Sequence, residues 1–236
     1  MAKQRKEKTY DKSLSSPSTR SVILEKSREI INRIGANDFK IDVIAAEMGI
    51  SPGNITYHFS RKDDICIALW RELIDKLDMF EVVLSGMLDL KQVFLTLRAV
   101  NGLLWDYRGV VMSRGGDVRI VKGADNVDER QSLSRIANDF MAKAHEILRK
   151  NGYIRQDVSD MMLSSALESE NIMLRSWLNY QTVMEATGQQ EPLPKEEAMN
   201  RGALMVIYSM YPLFSDKAKE DFKEISDRVY NGTMNV

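Results

Sequence analysis

Gly49 lies between two short apolar runs whose spacing leaves the chain few options. Ile44 and Ala45 precede it by five and four residues, Ile50 follows at once, and Ile55 comes five positions later. Helix, tight turn and second helix satisfy that pattern. Glycine reaches the positive φ of such a turn at no steric cost. Ala45 is small enough for close crossing. Ile50 and Ile55 fill a small core, with Phe59 one turn beyond Ile55 on the same face.

The residues after the turn are poor helix formers with positional uses. Ser51 suits an N-cap, its hydroxyl taking an orphan amide, and Pro52 suits the first helical position, where its missing N–H is no loss. Gly53 costs about 1 kcal/mol against alanine in a helix interior. It is useful where another molecule must approach the backbone, as a DNA groove edge does at the N-terminal end of a recognition helix.

With Ile55 and Phe59 turned inward, Asn54 and Thr56 fall on the outer face. Asn can bond adenine N6 and N7 together, and Thr can offer thymine a hydroxyl or a methyl contact. Tyr57, His58 and Lys62 are within reach of phosphates, which fix register without reading sequence. His58 has two open roles, a phosphate contact or packing between helices. Ser60 with Asp63 matches a capping box, so the next helix starts almost without a loop. Its first amides, together with Lys62, offer a positive site to the DNA backbone.

The remaining pattern is helical, and the predicted fold class is all-α. Residues 1–18 are polar, basic and aperiodic, which reads as a mobile arm. Residues 19–62 form the helix-turn-helix unit, its first helix ending at Gly35 and its second covering Ile41 to Met48. Residues 63–236 form a larger helical domain. It begins with a long helix carrying Cys66, Leu69, Leu73, Leu77, Phe80 and Leu84 inward, then one over about 89–112. A loop at 114–127 follows, with a Val118/Ile120 alternation too brief for a strand. Leu133 to Ile147 mark the next helix, closed by Asn151-Gly152. Asp157 and Asp160 match a capping box for a helix to about Thr187. Helices near 196–211 and from Ser215 to about Tyr230 complete the chain.

Hydrophobic residues make up 44% and charged residues 28% of the 236, a globular rather than disordered composition. The net charge of −1 hides an asymmetry: residues 1–62 balance to +5 and the rest to −6. A basic end on an acidic body suits an anionic partner for the first part. The single Cys66 excludes an internal disulfide, no apolar run follows the N-terminal lysines, and the membrane-like stretch Gly202 to Ser215 is too short to span a bilayer. The expectation is a cytoplasmic protein with no membrane partner.

Catalytic and metal-site signals are missing. The two histidines, His58 and His145, lie far apart in sequence, and there is no HExxH, CxxC pair, phosphate-binding glycine loop or nucleophile elbow. Glu168 and Glu170 point to different sides of a helix. No catalytic residue, metal or cofactor is assigned, and the expectation is not an enzyme; an all-α active site without a local motif is the remote alternative.

From Arg20 to about Leu69 the chain resembles the DNA-binding domain of the TetR family of bacterial transcriptional regulators. The matching pieces are the apolar first helix ending at Gly35, the pair Ile44-Ala45, "GIS" at 49–51, Gly53, "YHF" at 57–59, and Lys62 followed by an acidic residue. Two departures stand out: Thr56 occupies a position where many members carry tyrosine, and Lys40-Ile41 replace a common threonine pair. Tyr57 can take over the first contact, and Lys40 can still reach a phosphate.

The resemblance implies a homodimeric regulator, usually a repressor, on a palindromic operator, with Lys40, Ser51, Gly53, Asn54, Thr56, Tyr57, His58 and Lys62 at the DNA. It implies a dimer contact on the last long helices, 158–187 and 196–214, whose Met161, Leu163, Leu174, Leu178, Met205, Ile207 and Tyr211 are equally eligible as intrachain core. It also implies a pocket for a small apolar or amphipathic effector. Trp105, Tyr107, Arg108, Met112, Met141, Glu170, Met173 and Trp177 are candidates, since methionines and aromatics adapt to apolar ligands and charges orient them. At helical spacing the same residues also suit plain core. An architectural DNA binder with a filled core and no effector is the alternative.

Overall fold

A computed structural model describes residues 18–84, 86, 89–116 and 128–233. The expected arm (all but Ser18), the Val118/Ile120 segment and the side chains of Leu84 and Leu133 lie outside the described residues. Ten helices are described: α1 (Thr19–Asp38), α2 (Ile41–Met48), α3 (Pro52–His58), α4 (Lys62–Leu84), α5 (Leu90–Asp106), α6 (Arg108–Gly116), α7 (Asp128–Lys150), α8 (Asp160–Ala186), α9 (Lys195–Ser209) and α10 (Asp216–Tyr230). A 3-10 turn at Tyr211–Leu213 separates the last two. Among these residues the only β pairing is an isolated bridge between Ile154 and Phe214, and no helix is long and apolar enough to cross a membrane. The fold is all-α.

The first three helices close around Ile23, Ile30, Ile31, Phe39, Ile44 and Ile55, all inaccessible, and α4 joins them through Ile65 and Leu69. Each such aliphatic side chain contributes roughly 1.5–3 kcal/mol on burial. A few of them outweigh the about 1 kcal/mol cost of Gly53. Glu47 on α2 ties the unit further, bridging Arg33 and Lys26 of α1. Gly35 breaks α1 with φ 81°, as its position in the sequence predicts.

α4 continues without interruption into the second part, where it packs on α5 and α7, while α5 packs on α9 and α8 on α7 and α9. The expected helix over 89–112 is in fact two. Tyr107 separates α5 from α6, and the Val110 and Val111 amides both donate to its carbonyl, at 2.9 and 3.0 Å. The Asp106 carbonyl is taken instead by α1, accepting from Asn32 Nδ2 at 2.7 Å and Arg28 Nη1 at 3.4 Å. Asn32 Oδ1 in turn accepts the Gly109 amide at 2.9 Å. A side chain from a distant helix thus replaces part of the local ladder, which periodicity does not reveal. α6 also extends to Gly116, into the expected loop.

Both expected capping boxes are displaced. The start of α4 is held by Asp64, whose carboxylate accepts the Arg61 amide at 2.9 Å, not by Ser60 and Asp63. The cap of α8 is Ser159, whose hydroxyl accepts the Met162 amide, while Asp157 pairs with Arg155. In each case a neighbouring residue offered equivalent chemistry one or two positions away.

Candidate nucleic-acid interface and effector region

Gly49 adopts φ 66°, ψ 30°, and the Ile50 amide returns to the Ala45 carbonyl at 3.0 Å. This left-handed turn sets α3 across α2. Ile55 and Phe59 are buried beneath it, whereas Ser51, Pro52, Gly53, Asn54, Thr56 and Tyr57 are all exposed. Tyr57 is 85% exposed, unusual for a large aromatic with no core to fill. Its ring meets His58 edge-on at 5.0 Å.

Several expected roles change in detail. Ser51 stands at the N-cap position, but its hydroxyl does not cap; its carbonyl accepts the Asn54 amide at 3.0 Å. Gly53 is not required by the fold, because an added Cβ would meet only Ser51 Oγ at 3.7 Å. Thr56 donates its hydroxyl to the Gly53 carbonyl at 3.2 Å, so its methyl and oxygen lone pairs remain for contact. Lys40 is exposed just before α2. His58 is half-buried and lines a groove of about 1070 Å³ between α1 and α4, shared with Arg20, Arg28 and Arg71. Arg20, which the sequence did not single out, lies over the Phe59 ring at 4.7 Å.

Lys62 has a structural duty. Its ammonium donates to the Ala36 and Asn37 carbonyls at 3.4 and 3.2 Å, tying the start of α4 to the end of α1. An ammonium has three donors, so one remains for a phosphate. Lys62→Ala is expected to lower the melting temperature by roughly 2–4 °C, for about 1 kcal/mol lost, and the salt slope of DNA binding by about 1. An unchanged slope, whatever the melting temperature does, removes Lys62 from the interface.

The eight effector candidates do not converge on one cavity. Trp105 and Arg108 line a pocket of about 130 Å³ with Gln181, Thr182 and Glu185 of α8. Met112 reaches Thr182, whose hydroxyl lies 3.5 Å from its sulfur. Tyr107 is buried, its hydroxyl accepting from Lys76 Nζ at 2.7 Å. Met141 is core. Glu170 is fully buried and paired with His145 Nε2 at 2.8 Å, a partner the sequence reading passed over. Burial pushes the Glu170 carboxyl above its ordinary range, and His145 pulls it back. His145 was findable: it follows buried Ala144 and lies one turn beyond Met141, on the inward stripe of α7.

Met173 and Trp177 face elsewhere. The Trp177 indole donates to the Ala198 carbonyl at 3.0 Å. Both residues border an open apolar groove of about 800 Å³ between α8, α9 and α10. Around it Ile172, Tyr180, Met205, Tyr208 and Tyr230 are exposed, Tyr208 by 61%. Of the predicted dimer residues, Leu174, Leu178 and Ile207 are core, whereas Met161 and Met205 are exposed.

Residues 23–69 match the family described as bacterial regulatory proteins, tetR family. No curated protein matches the chain in sequence. Among solved structures, a TetR-family transcriptional regulator from Marinobacter aquaeolei VT8 is 21% identical, with 90% of this chain and 99% of that one covered at a TM-score of 0.73. A putative transcriptional regulator from Saccharomonospora viridis in complex with choline is 18% identical, covering 83% and 97%, with a TM-score of 0.59. SmeT in complex with triclosan is 16% identical, covering 86% and 94%, with a TM-score of 0.57. These likenesses establish a shared fold.

Proposed function

We propose that this chain, whose residues 23–69 match the bacterial tetR family of regulatory proteins, is a ligand-responsive transcriptional repressor that binds a palindromic operator as a homodimer in the cytoplasm. The observation that carries this reading is the exposed set of Ser51, Pro52, Gly53, Asn54, Thr56 and Tyr57 lying over the buried Ile44, Ile55 and Phe59. The fold does not need these exposed groups: Asn54 and Tyr57 fill no core, and Gly53 has room for a methyl. Their chemistry suits a groove edge, Asn54 for adenine, the Thr56 methyl for thymine, and Tyr57 and Lys62 for the flanking phosphates.

One short recognition helix reads only a few base pairs, so a two-fold dimer on paired half-sites supplies the rest. The exposed apolar groove at α8 to α10 is where a second copy fits. Contiguous apolar surface of this kind, lined by none of the helix-turn-helix residues, is uncommon on a lone chain. The structural neighbours in complex with choline and with triclosan support a small-molecule effector for this fold. Such a molecule would act through its differential affinity for the two arrangements of the recognition helices.

The test is selection of a preferred DNA site, followed by affinities on that site and on single-base variants. Two chains per palindromic site are expected by sedimentation. Asn54→Ala should cost roughly 1–3 kcal/mol on the preferred site and flatten the preference at one base pair per half-site. Equal losses on specific and random DNA refute base reading by Asn54. No DNA binding at low salt refutes the function.

A further inference from the structure

Resting on the effector reading above, we infer that the pocket at Trp105 and Arg108 receives a small zwitterion. Its carboxylate would sit on Arg108 and its cationic end at Glu185. Binding there would act on the turn that holds the helix-turn-helix unit.

Two opposite charges, Arg108 and Glu185, share one pocket without pairing. Arg108 is half-buried, with its guanidinium 5.0 Å from the Trp105 ring centre and Nη1 donating to the Trp105 carbonyl at 3.1 Å. Among the described residues no carboxylate comes within ion-pair distance of it. Burial pulls its pKa down, with Asp106 and Glu185 opposing only at longer range. An arginine with part of its donor fork unmet, stacked on an aromatic face, is suited to bidentate capture of a carboxylate. Glu185 accepts the Leu193 amide on Oε1 at 3.4 Å and pairs with no cation among the described residues. A plain anion would meet Glu185 as a repulsive neighbour. A molecule carrying both charges satisfies both walls.

Gln181 is buried and Thr182 lines the same space, each with hydrogen-bonding capacity. Gln181 accepts from Gln190 at 3.0 Å through its oxygen, which leaves its amide donors for a ligand. The volume sets the size. About 130 Å³ is room for about four water molecules and falls well below drug-sized pockets. This admits a small amino acid rather than an extended apolar effector.

The pocket shares its wall with the joint between the two parts of the chain. Trp105 and Arg108 flank Asp106 and Tyr107. The Asp106 carbonyl accepts from Asn32 and Arg28 of α1, and Tyr107 accepts from Lys76 of α4. Asp106 also pairs with Lys195 at 2.6 Å. A ligand that pulls Arg108 toward the pocket would move the turn that anchors α1 and α4, the two helices framing the recognition helix.

Calorimetry on the DNA-free protein, with glycine, L-alanine and β-alanine up to about 10 mM, tests the pocket across the millimolar affinity range. Saturable binding of at least one is expected, with acetate and methylammonium each at least about 10-fold weaker, since each meets one wall only. Arg108→Met should abolish that binding. Glu185→Gln should bring acetate level with the zwitterion. Failure of all three amino acids to bind, or full binding by Arg108→Met or unchanged preference in Glu185→Gln, overturns the inference. Because no DNA is present, that outcome is independent of whether the chain binds an operator. A bound zwitterion that leaves the affinity for the selected DNA site unchanged overturns the proposed action on the turn.

Discussion

Gly109→Ala is expected to lower the melting temperature by roughly 6–12 °C. A Cβ at Gly109 would press on Ile31 in α1: on its backbone carbonyl oxygen, on its carbonyl carbon at 2.6 Å and on the side-chain Cγ2 at 2.8 Å. Backbone atoms cannot rotate aside as a long side chain can. Overpacking of this sort costs about 3 kcal/mol, and each kcal/mol moves the transition of a chain this size by roughly 2–4 °C. Alanine's better helix propensity returns at most about 1 kcal/mol, less this near the start of α6. The clash therefore wins. It would also separate α6 from α1 and break the hydrogen bonds through Asn32, so DNA affinity should fall with stability. Thermal melts followed by circular dichroism give the first number. A shift under about 2 °C would mean that the α1–α6 joint yields freely, which would also weaken the case for signalling through it.

His145→Leu is expected to cost about 3–5 kcal/mol near neutral pH, because it leaves the fully buried Glu170 without its partner. The pH dependence separates this from ordinary packing loss. Burial already raises the Glu170 carboxyl above its ordinary value, and losing His145 removes the opposing influence. A carboxyl whose folded pKa is raised binds its proton more tightly in the folded state. Its stabilising contribution is present below the unfolded carboxylate range and is lost as pH rises through the folded value. The penalty in His145→Leu should therefore be small near about pH 5 and largest near about pH 8. Adding Glu170→Gln should recover much of the loss at the higher pH. A penalty equal at both pH values would show that the effect comes from packing and not from a buried charge.

The helix-turn-helix was legible because its determinants are local. Gly49, Ile44, Ala45, Ile55 and Phe59 lie within 16 consecutive residues, and helical geometry alone decides which of them face inward. The same holds for the breaks at Gly35 and Gly152, which adopt φ 81° and 77°. The capping residues were less legible, since Ser60, Asp63 and Asp64 offer near-equivalent acceptors within one turn. The effector candidates fared worst. A stripe of Trp105, Tyr107, Met112, Met141 and Glu170 on separate helices carries no information about which of those faces meet.

By itself, then, the sequence determined an all-α chain with a turn at Gly49 and an exposed row at Ser51 to Tyr57 above a buried one. Helical period and glycine sterics act over a few residues and require no partner. Tertiary structure alone decided that Asn32 would split one expected helix at Tyr107, that Lys62 would hold the end of α1, and that Arg108 and Glu185 would face one small pocket unpaired. Those outcomes depend on hydrogen bonds and charges meeting across 25 to 77 positions of sequence. Only the packing of whole helices brings such groups together.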